Sequence, residues 1–398
     1  MEEHQIVVIG AGVAGLCAAR TLHARGLDVV VVESGDWVGG RVTTEEVDGF
    51  LVDRGFQVLN PAYRHLFRDL DRQRLGLRPF PRAVAVRTVD GLKELADPTR
   101  QPAALLGDLA SGLIGPRDAR AALVGTRLAR RDEPRQTAFD RAGFDGPLRH
   151  QVVEPFLSGV VCERDGSTSA RFVSWLGAMF AAGTPGLPTG GMRRLGERLA
   201  DDLDVRTNCP VTALETASGV VTTAHGELRG QAVVVAAGPG ATASLTGQPA
   251  PAVHGTRTFW FATDSEPTRS AAIHVDGRGR GPVATTVVVS HTAPEYAPAG
   301  QHLVAALTLT DDEVADETAA RAHCGEIYGI DTSGWRTVAV HDVAETVPTL
   351  HPPFRPQDRI RLDGRTVSCG DQFGNASLDG AASSGQAAAE AVVRLLGR

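Results

Sequence analysis

The fold of this chain is indicated most clearly by one stretch near its start, Ile6-Val7-Val8-Ile9-Gly10-Ala11-Gly12-Val13-Ala14-Gly15. Its four consecutive apolar residues predict a buried parallel strand over Gln5–Ile9, because a strand covered on both faces does not alternate with polar residues. The helical spacing of Leu16–Arg25 predicts a helix that ends at Gly26, a residue suited to a C-terminal cap. A second strand over Asp28–Val32 completes one βαβ unit.

The spacing of the glycines in this unit predicts a dinucleotide site. Gly10 permits the tight turn, Gly12 lets the backbone approach a pyrophosphate, and Gly15 lets the helix pack on the strand. Glu33 follows Gly15 by 18 residues and ends the second strand, where a carboxylate accepts hydrogen bonds from ribose hydroxyls and disfavours a 2′-phosphate. The motif therefore predicts nucleotide contacts at Gly10, Gly12, Ala14, Gly15 and Glu33.

The composition is that of an ordinary globular protein. The 398 residues are 42% hydrophobic and 22% charged, and the length suggests about two or three domains. Disordered, collagen-like and disulfide-scaffold classes are excluded on this composition. The formal net charge of −7 gives no overall attraction to nucleic acid, so no nucleic-acid partner is expected.

The cysteines and the first residues favour a cytoplasmic protein without a metal site. The chain opens with acidic residues where a signal peptide would be basic, and the apolar stretch from Ile6 to Ala19 is too short to span a bilayer. The five cysteines are scattered and odd in number, with no CxxC and no Cys/His pair at metal-ligand spacing: Cys17, Cys162, Cys209, Cys324 and Cys369.

A second glycine pair follows the acidic residue. The stretch Ser34-Gly35-Asp36-Trp37-Val38-Gly39-Gly40-Arg41 goes beyond what an NAD domain requires. It resembles the GG-R motif of the superfamily of flavin-containing amine oxidases, protoporphyrinogen oxidases and phytoene desaturases, where it holds the FAD pyrophosphate. The chain is most similar to short bacterial phytoene-desaturase-like members. The resemblance implies one FAD, bound non-covalently because Cys369 is interpreted as a core residue.

Further segments resemble the same superfamily in the same chain order. Asp53-Arg54-Gly55-Phe56-Gln57 resembles the strand and loop beside the isoalloxazine ring, and Pro188-Thr189-Gly190-Gly191-Met192 resembles the segment that re-enters the FAD domain. Asn208-Cys209-Pro210-Val211 resembles a turn that contacts adenine. The run from Val233 to Gly238 resembles a strand that ends near the flavin side of the cofactor.

The C-terminal part of the chain completes this resemblance. Cys369-Gly370-Asp371 is similar to a strand end whose acid bonds the ribityl chain, and Ser377-Leu378-Asp379-Gly380-Ala381 to a helix start that faces the flavin pyrimidine, where negative charge accumulates on reduction. Beyond the first motif, the implied FAD contacts are Ser34, Gly40, Arg41, Gly55, Phe56, Gln57, Val211, Ala237, Gly238, Gly370, Asp371, Ser377, Leu378 and Ala381.

These observations together predict an α/β fold with a Rossmann-like FAD-binding domain of the GR2 type. Four further stretches have strand-like sequences that resemble the small antiparallel sheet and the return strand of such a domain: Val205–Thr207, Val211–Glu215, Val220–Thr223 and Ala232–Ala236. A substrate-binding α+β domain is expected to carry a mostly helical insertion from Pro61 to Thr184 and strands at Ala284–Val289 and Leu303–Leu309. The predicted domains are 1–60, 186–246 and 348–398 for FAD, and 61–185 and 247–347 for substrate.

The predicted reaction is hydride transfer from a C–H bond of a lipophilic small molecule to flavin N5. Because no second strand-GxGxxG-helix is present for NAD(P)H, reoxidation by oxygen or a quinone-like acceptor is expected. Amine oxidases of the superfamily use a lysine near N5 and an aromatic cage, whereas Lys93, the one lysine, falls in the predicted helical insertion. Three alternatives stay open: a flavin amine oxidase forming imine and hydrogen peroxide, a redox-neutral flavin isomerase, and a non-catalytic flavin-bound scaffold.

No catalytic residue is assigned from the sequence. An ordinary hydrogen-bonding role is favoured over a catalytic base for the polar residues before the C-terminal FAD segment: His341, Glu345, Thr349 and His351. Core packing is favoured over the wall of a lipophilic pocket for four aromatic residues: Trp175, Phe180, Trp260 and Phe261.

The stretch Ala103–Arg135 is apolar on one face and rich in arginine. It fits a helix that docks on a membrane surface, or a solvated helix with salt bridges to Asp118, Asp132 and Glu133, which is the favoured interpretation. Peripheral membrane contact is therefore kept as an alternative, and the oligomeric state is left open. The arginines concerned are Arg117, Arg120, Arg127, Arg130, Arg131 and Arg135.

Overall fold

The structure, a computed structural model, describes residues 1–68, 70–96, 112–115, 118, 131–311 and 315–398. The helices are α1 (Val13–His23), α2 (Arg135–Arg141), α3 (Glu154–Val161), α4 (Ala170–Ala182), α5 (Arg193–Ala200), α6 (Pro239–Thr246), α7 (Val289–Thr292), α8 (Glu317–Tyr328) and α9 (Leu378–Leu395). The first strands are β1 (Glu2–Ile9), β2 (Val29–Val32), β3 (Thr44–Val47), β4 (Phe50–Asp53), β5 (Arg78–Pro79), β6 (Ala83–Thr88), β7 (Gly91–Ala96), β8 (Gly186–Leu187) and β9 (Asp204–Arg206). The remaining strands are β10 (Val211–Glu215), β11 (Val220–Thr223), β12 (Gly226–Val235), β13 (Val253–Thr263), β14 (Ile273–Asp276), β15 (Val283–Val288), β16 (His302–Leu309), β17 (Arg336–Pro348), β18 (Ile360–Asp363) and β19 (Thr366–Cys369).

The first sheet is the predicted Rossmann-like sheet. Its order is β10-β11-β12-β1-β2-β9, with β19 also paired to β12 and β18 to β19. Strands β9, β2, β1, β12 and β19 run parallel, and the run Ile6–Ile9 of β1 is buried, which confirms the predicted buried parallel strand. The helix begins at Val13, directly after Gly12 and earlier than predicted, so that Gly15 lies in its first turn.

Two helices cover one face of this sheet through close backbone contact. Helices α1 and α9 pack together, and a Cβ atom on Gly385 would lie 2.0 Å from the Ala14 carbonyl oxygen. Small residues therefore set the distance between the helices, since only glycine leaves room for the neighbouring backbone. This packing brings the beginning and the end of the chain to the same sheet.

The second sheet corrects one prediction. Its order is β17-β13-β16-β15-β14-β6-β7, and its strands β6 and β7 lie in the stretch predicted to be mostly helical. That prediction is wrong for residues 83–96, which form a hairpin with a two-residue turn, Val89-Asp90, between β6 and β7. The predicted strands near 284–289 and 303–309 are confirmed as β15 and β16.

The arginine-rich stretch also needs one correction. Arg135 begins α2 and is only 2% exposed, with its guanidinium donating two hydrogen bonds to the Glu163 carboxylate, so it does not belong to an exposed basic face. Of the acids predicted as salt-bridge partners, Asp132 accepts from the Ser169 hydroxyl, and Glu133 pairs with Arg141, which lies outside the predicted stretch. Among the described residues no helix is both long and apolar enough to cross a membrane. The remaining arginines, apart from Arg131, lie outside the described residues: Arg117, Arg120, Arg127 and Arg130.

Candidate functional site: a cavity at the strand ends of the first sheet

The carboxyl ends of four parallel strands lie side by side, and we call this row of strand ends the strand edge. Following the sheet order, Glu33 ends β2, Gly10 follows β1, Ala236 follows β12 and Gly370 follows β19. Because neighbouring strands lie about 4.8 Å apart, this edge spans roughly 14 Å from β2 to β19. A ligand that reaches from Glu33 to the loop after β19 must be extended, as a dinucleotide is.

The three motif glycines have separate structural roles. A Cβ atom on Gly10, whose φ is +99°, would lie 2.5 Å from the Ala236 carbonyl oxygen, and one on Gly15 would lie 2.0 Å from the Gly10 carbonyl oxygen. A Cβ atom on Gly12 would meet no atom within 4 Å. Gly10 and Gly15 therefore allow the backbone to pack, whereas Gly12 opens onto the space above the first turn of α1.

The start of α1 is suited to an anion. Gly12 is its N-cap, no side chain caps the helix, and its first turn contains no acidic residue. The positive end of the helix dipole and its unpaired N–H groups therefore point toward the space above Gly12.

Glu33 is held in position by its neighbours. Its Oε2 atom accepts a hydrogen bond from Ala11 N at 2.8 Å, and its Oε1 atom accepts from Gly35 N at 2.9 Å and from the Ser34 hydroxyl at 3.1 Å. These bonds fix the carboxylate at the end of β2. Each carboxylate oxygen has further acceptor capacity, which suits hydroxyl donors such as those of a ribose.

Arg41 joins three distant parts of the chain. Its Nη2 atom donates to Asp371 Oδ1 at 2.6 Å, and its Nη1 atom donates to the carbonyl oxygens of Glu345 at 3.1 Å and Thr346 at 2.6 Å. Gln57 Nε2 donates to the Arg41 carbonyl oxygen. The second glycine pair is thereby tied to the loop after β19.

One large cavity opens along this edge. Its volume is about 1630 Å³, more than the few hundred to 1000 Å³ typical of a small-molecule pocket, so it has room for a dinucleotide and a second molecule. Gly15 is not on its wall and instead packs α1 against β1. The other predicted site residues line it: Gly10, Gly12, Ala14, Glu33, Ser34, Gly40, Arg41, Gly55, Phe56, Gln57, Val211, Ala237, Gly238, Gly370, Asp371, Ser377, Leu378 and Ala381.

The far part of this cavity is apolar. We call the part lined from 80–96, 139–185 and 256–307 the chamber; its wall includes aromatic rings from several elements, with the Phe156 and Phe180 ring centroids 5.6 Å apart. Phe56 meets Phe80 edge to face where the chamber joins the strand edge. In the described lining of the chamber, Arg82 is the one charged side chain and no carboxylate or lysine is present.

The structure separates the candidates that the sequence left open. Of the four polar residues, Glu345 lines the cavity and accepts from Gly240 N, whereas His341 is buried beside Glu45 and His351 is exposed. Thr349 donates to the Ala252 carbonyl oxygen outside the cavity wall.

The aromatic candidates divide in the same way. Core packing is confirmed for Trp260 and Phe261, which are both fully buried. Phe180 packs against a buried apolar cluster and also lines the chamber, and Trp175, packed against the same cluster, stacks on Tyr63.

The sequence interpretation missed several residues of the wall. Trp37 lies at the mouth, with the Arg54 guanidinium 4.8 Å above its ring, and Tyr63 and Gln372 lie deeper. Burial raises the pKa of the Tyr63 phenol to about 12, with the Asp379 charge adding to the effect. Trp37, Arg54 and Gln372 are adjacent to recognised motif residues, which was the available signal; nothing in the local sequence marked Tyr63.

The cysteines show no reactive site. All five are buried and none forms a disulfide bond in the described structure, and burial raises the pKa of the Cys162 thiol, on the chamber wall, to about 12, assisted by Asp311 and Glu163. Cys369 is fully buried, and burial raises the pKa of its thiol as well. The described part of the chain contains no cluster of side chains arranged to hold a metal ion.

Lys93 is placed differently from the prediction. It lies on β7 rather than in a helix, and its Nζ atom pairs with Asp90 Oδ2 at 3.3 Å. It does not line the cavity.

Comparison with known proteins agrees with this site. A family model described as flavin containing amine oxidoreductase matches residues 13–393. The chain belongs to this family. An oxidoreductase from Methanosarcina mazei has the same fold, with a TM-score of 0.77, 19% sequence identity, and coverage of 97% of this chain and 99% of that one. The family consists of FAD-dependent oxidoreductases, and the chain is of that class.

Local sequence matches point to two kinds of relative. The chain is 45% identical over 80 residues to putrescine oxidase of Kocuria rosea, and 47% identical over 55 residues to hydroxyneurosporene desaturase of Rubrivivax gelatinosus. These matches span 20% and 14% of this chain, and only 16% and 10% of the two relatives. The similarity is therefore confined to short segments of each.

The residues of the strand edge fit FAD. Open space above Gly12 lies at an uncapped helix start suited to a pyrophosphate, and Glu33 offers carboxylate oxygens suited to a ribose. Gln57 adds a buried side-chain oxygen, Oε1, that has no hydrogen-bond partner in the described structure. Each feature matches a polar group that an extended dinucleotide carries.

Proposed function

We propose that this protein oxidises a lipophilic small molecule held in the chamber to an unsaturated product, by transfer of a hydride from a C–H bond to FAD bound along the strand edge and release of a proton from the substrate to solvent. Oxygen or a quinone-like acceptor would then reoxidise the cofactor. The predicted assignment of residues 1–60, 186–246 and 348–398 to FAD, and of 61–185 and 247–347 to substrate, is part of this proposal.

The chamber is the observation that carries the proposal. It is continuous with the strand edge, walled mostly by aliphatic and aromatic side chains, and free of carboxylates and lysines over its described lining. Burying apolar substrate surface there is favourable by about 25 cal/mol per Å². A cationic amine would lose its hydration without gaining a carboxylate partner, which is costly.

The residues of the site bind and orient rather than exchange protons in this proposal. Glu33 holds the ribose hydroxyls, and the start of α1 holds the pyrophosphate. FAD supplies the hydride acceptor, N5. The first N–H groups of α9, at Leu378, supply positive potential toward the part of the cavity where this proposal places the flavin ring. The chamber excludes water and positions the reacting C–H bond.

An amine oxidase is the second candidate, favoured by the family description and by the local match to putrescine oxidase. Against it stands the chamber lining, in which the phenylalanine rings supply only weak cation–π attraction. Lys93 pairs with Asp90 outside the cavity.

Anaerobic flavin reduction tests the proposal. The holoprotein is mixed with isoprenoid and other apolar substrates, and separately with a panel of mono- and diamines, while the flavin absorption band is followed. We expect apolar compounds to bleach the band and amines to leave it unchanged. Bleaching by amines with peroxide release in air would select the amine oxidase. Turnover only after prereduction would select the isomerase, and no reduction by any compound would favour the scaffold.

A further inference from the structure

The loop after β19 contains a buried amide without hydrogen-bond partners. Gln372 lines the cavity, and neither its Oε1 nor its Nε2 atom is accessible or hydrogen-bonded in the described structure. The amide lies over the backbone of Gly370, where a Cβ atom would be 2.0 Å from Oε1. Only glycine at position 370, with φ of +151°, leaves the amide this space.

Such an arrangement is unfavourable unless a ligand completes it. A buried donor or acceptor without a partner costs about 1 to 3 kcal/mol, and Gln372 has both kinds of atom in this condition. Gln57, the other cavity glutamine, already donates from Nε2 to the Arg41 carbonyl oxygen and lacks a partner only at Oε1. A ligand beside Gln372 would therefore offer both an acceptor and a donor.

The order of the strand ends indicates which part of FAD meets this amide. Glu33, directly after β2, suits the adenosine ribose, and the start of α1, next to β1, suits the pyrophosphate. The loop of Gln372 follows β19, two strands beyond β1 and on the side away from β2. The remaining length of an extended FAD, its ribityl chain and isoalloxazine ring, would lie beside this loop.

We propose that the Gln372 side-chain amide hydrogen-bonds the ribityl–isoalloxazine half of FAD and so positions the flavin at the entrance of the chamber. The inference rests on the proposed placement of FAD along the strand edge. The polar groups of that half, ribityl hydroxyls and the ring amide and carbonyls, supply the donor and the acceptors that Gln372 lacks.

The test compares FAD with ADP, which carries only the adenosine and pyrophosphate groups. Both ligands are titrated calorimetrically into the full chain stripped of FAD, as wild type, as Gln372→Leu, and as Gln357→Leu, an exposed control outside the cavity wall. We expect Gln372→Leu to weaken FAD binding about tenfold, the equivalent of one hydrogen bond of about 1.4 kcal/mol, and to leave ADP binding within twofold of wild type. The control should change neither.

Two results would overturn the assignment of Gln372. One is FAD affinity within twofold of wild type, and the other is an equal loss of FAD and ADP affinity. If Gln372→Leu does not fold, Gln372→Glu, which keeps the size but removes the N–H donors, is measured with the same criteria. Failure of the wild type to bind ADP in competition with FAD would instead contradict the placement of the cofactor, independently of Gln372.

Discussion

Arg41 and Asp371 stand 330 positions apart in the sequence, yet Arg41 Nη2 donates to Asp371 Oδ1 at 2.6 Å. The Asp371 side chain is 9% exposed and that of Arg41 is 32% exposed, so the pair lies inside the cavity wall rather than on the surface. Through this pair and the carbonyl oxygens of β17, one side chain holds the first and last parts of the chain together at the site.

The first prediction concerns this link. Arg41→Met removes the donors to Asp371 and to Thr346, and it leaves the Asp371 carboxylate without its cationic partner. We expect FAD affinity to fall at least tenfold, because a hydrogen bond to a charged group is worth about 1.5 to 3 kcal/mol. Arg41→Lys, which keeps the charge but not the forked donors, should recover only part of the loss. Calorimetric titration measures both, and affinities within twofold of wild type would show that Arg41 does not organise the site.

The second prediction contrasts two glycines of the motif. Gly15→Ala places a methyl group 2.0 Å from the Gly10 carbonyl oxygen, so we expect a loss of several kcal/mol in the free energy of unfolding or failure to fold. Gly12→Ala meets no protein atom within 4 Å and has an ordinary φ of −74°, so the FAD-free protein should keep its stability. Its FAD affinity should nevertheless fall steeply. Equal destabilisation by both substitutions in urea unfolding would contradict the separate roles assigned here.

The third prediction concerns a buried carboxyl beside the site. Burial raises the pKa of Asp53 to about 6, against the opposing effect of hydrogen bonds from Thr44, Met192 and Tyr296. The folded state therefore retains a proton that the unfolded chain loses near its ordinary pKa of 3.8, and stability from this group falls as the pH rises from about 4 to 6. The loss is on the order of 3 kcal/mol.

Asp53→Asn removes this titration while keeping a side chain of similar shape. The free energy of unfolding of the variant, relative to wild type, should rise between pH 4 and pH 7, as measured by urea unfolding of the FAD-free protein. A difference between variant and wild type that does not change with pH would show that Asp53 titrates normally.

The fourth prediction concerns the buried ion pair of the helical part. The Arg135 and Glu163 side chains are 2% and 3% exposed, and Glu163 also accepts from Gly166 N and from the Thr168 hydroxyl. Glu163→Gln leaves the guanidinium charge uncompensated and should cost about 3 to 5 kcal/mol.

Glu133→Gln supplies the matched comparison, because Glu133 pairs with Arg141, which is 37% exposed. That substitution should cost less than about 1 kcal/mol. Similar losses for the two variants in urea unfolding would mean that burial does not set the strength of the Arg135 pair.

The strand edge was predictable because its signals are local. Each part of it joins a buried apolar strand to glycine or an acid, as at Ile9-Gly10, Val32-Glu33 and Cys369-Gly370, and the backbone geometry of such a junction depends on few neighbours. The resemblance to a known family then assigned these strands to one Rossmann-like domain.

The chamber was not predictable in the same way. Phe80, Phe156 and Phe180 line one chamber only because separate stretches of the chain converge, and a core phenylalanine and a wall phenylalanine look the same in sequence. The hairpin of β6 and β7 was missed because its alternation is short and the arginine-rich sequence around it suggested helix.

A crystal structure of the FAD-bound protein is the most direct test of this account. We predict one FAD per chain, with its adenosine ribose on the Glu33 carboxylate, its pyrophosphate above Gly12, and its isoalloxazine ring between the Gln372 loop and the open chamber. A flavin ring seated at the Glu33 end, or side chains closing the chamber from the ring, would contradict it.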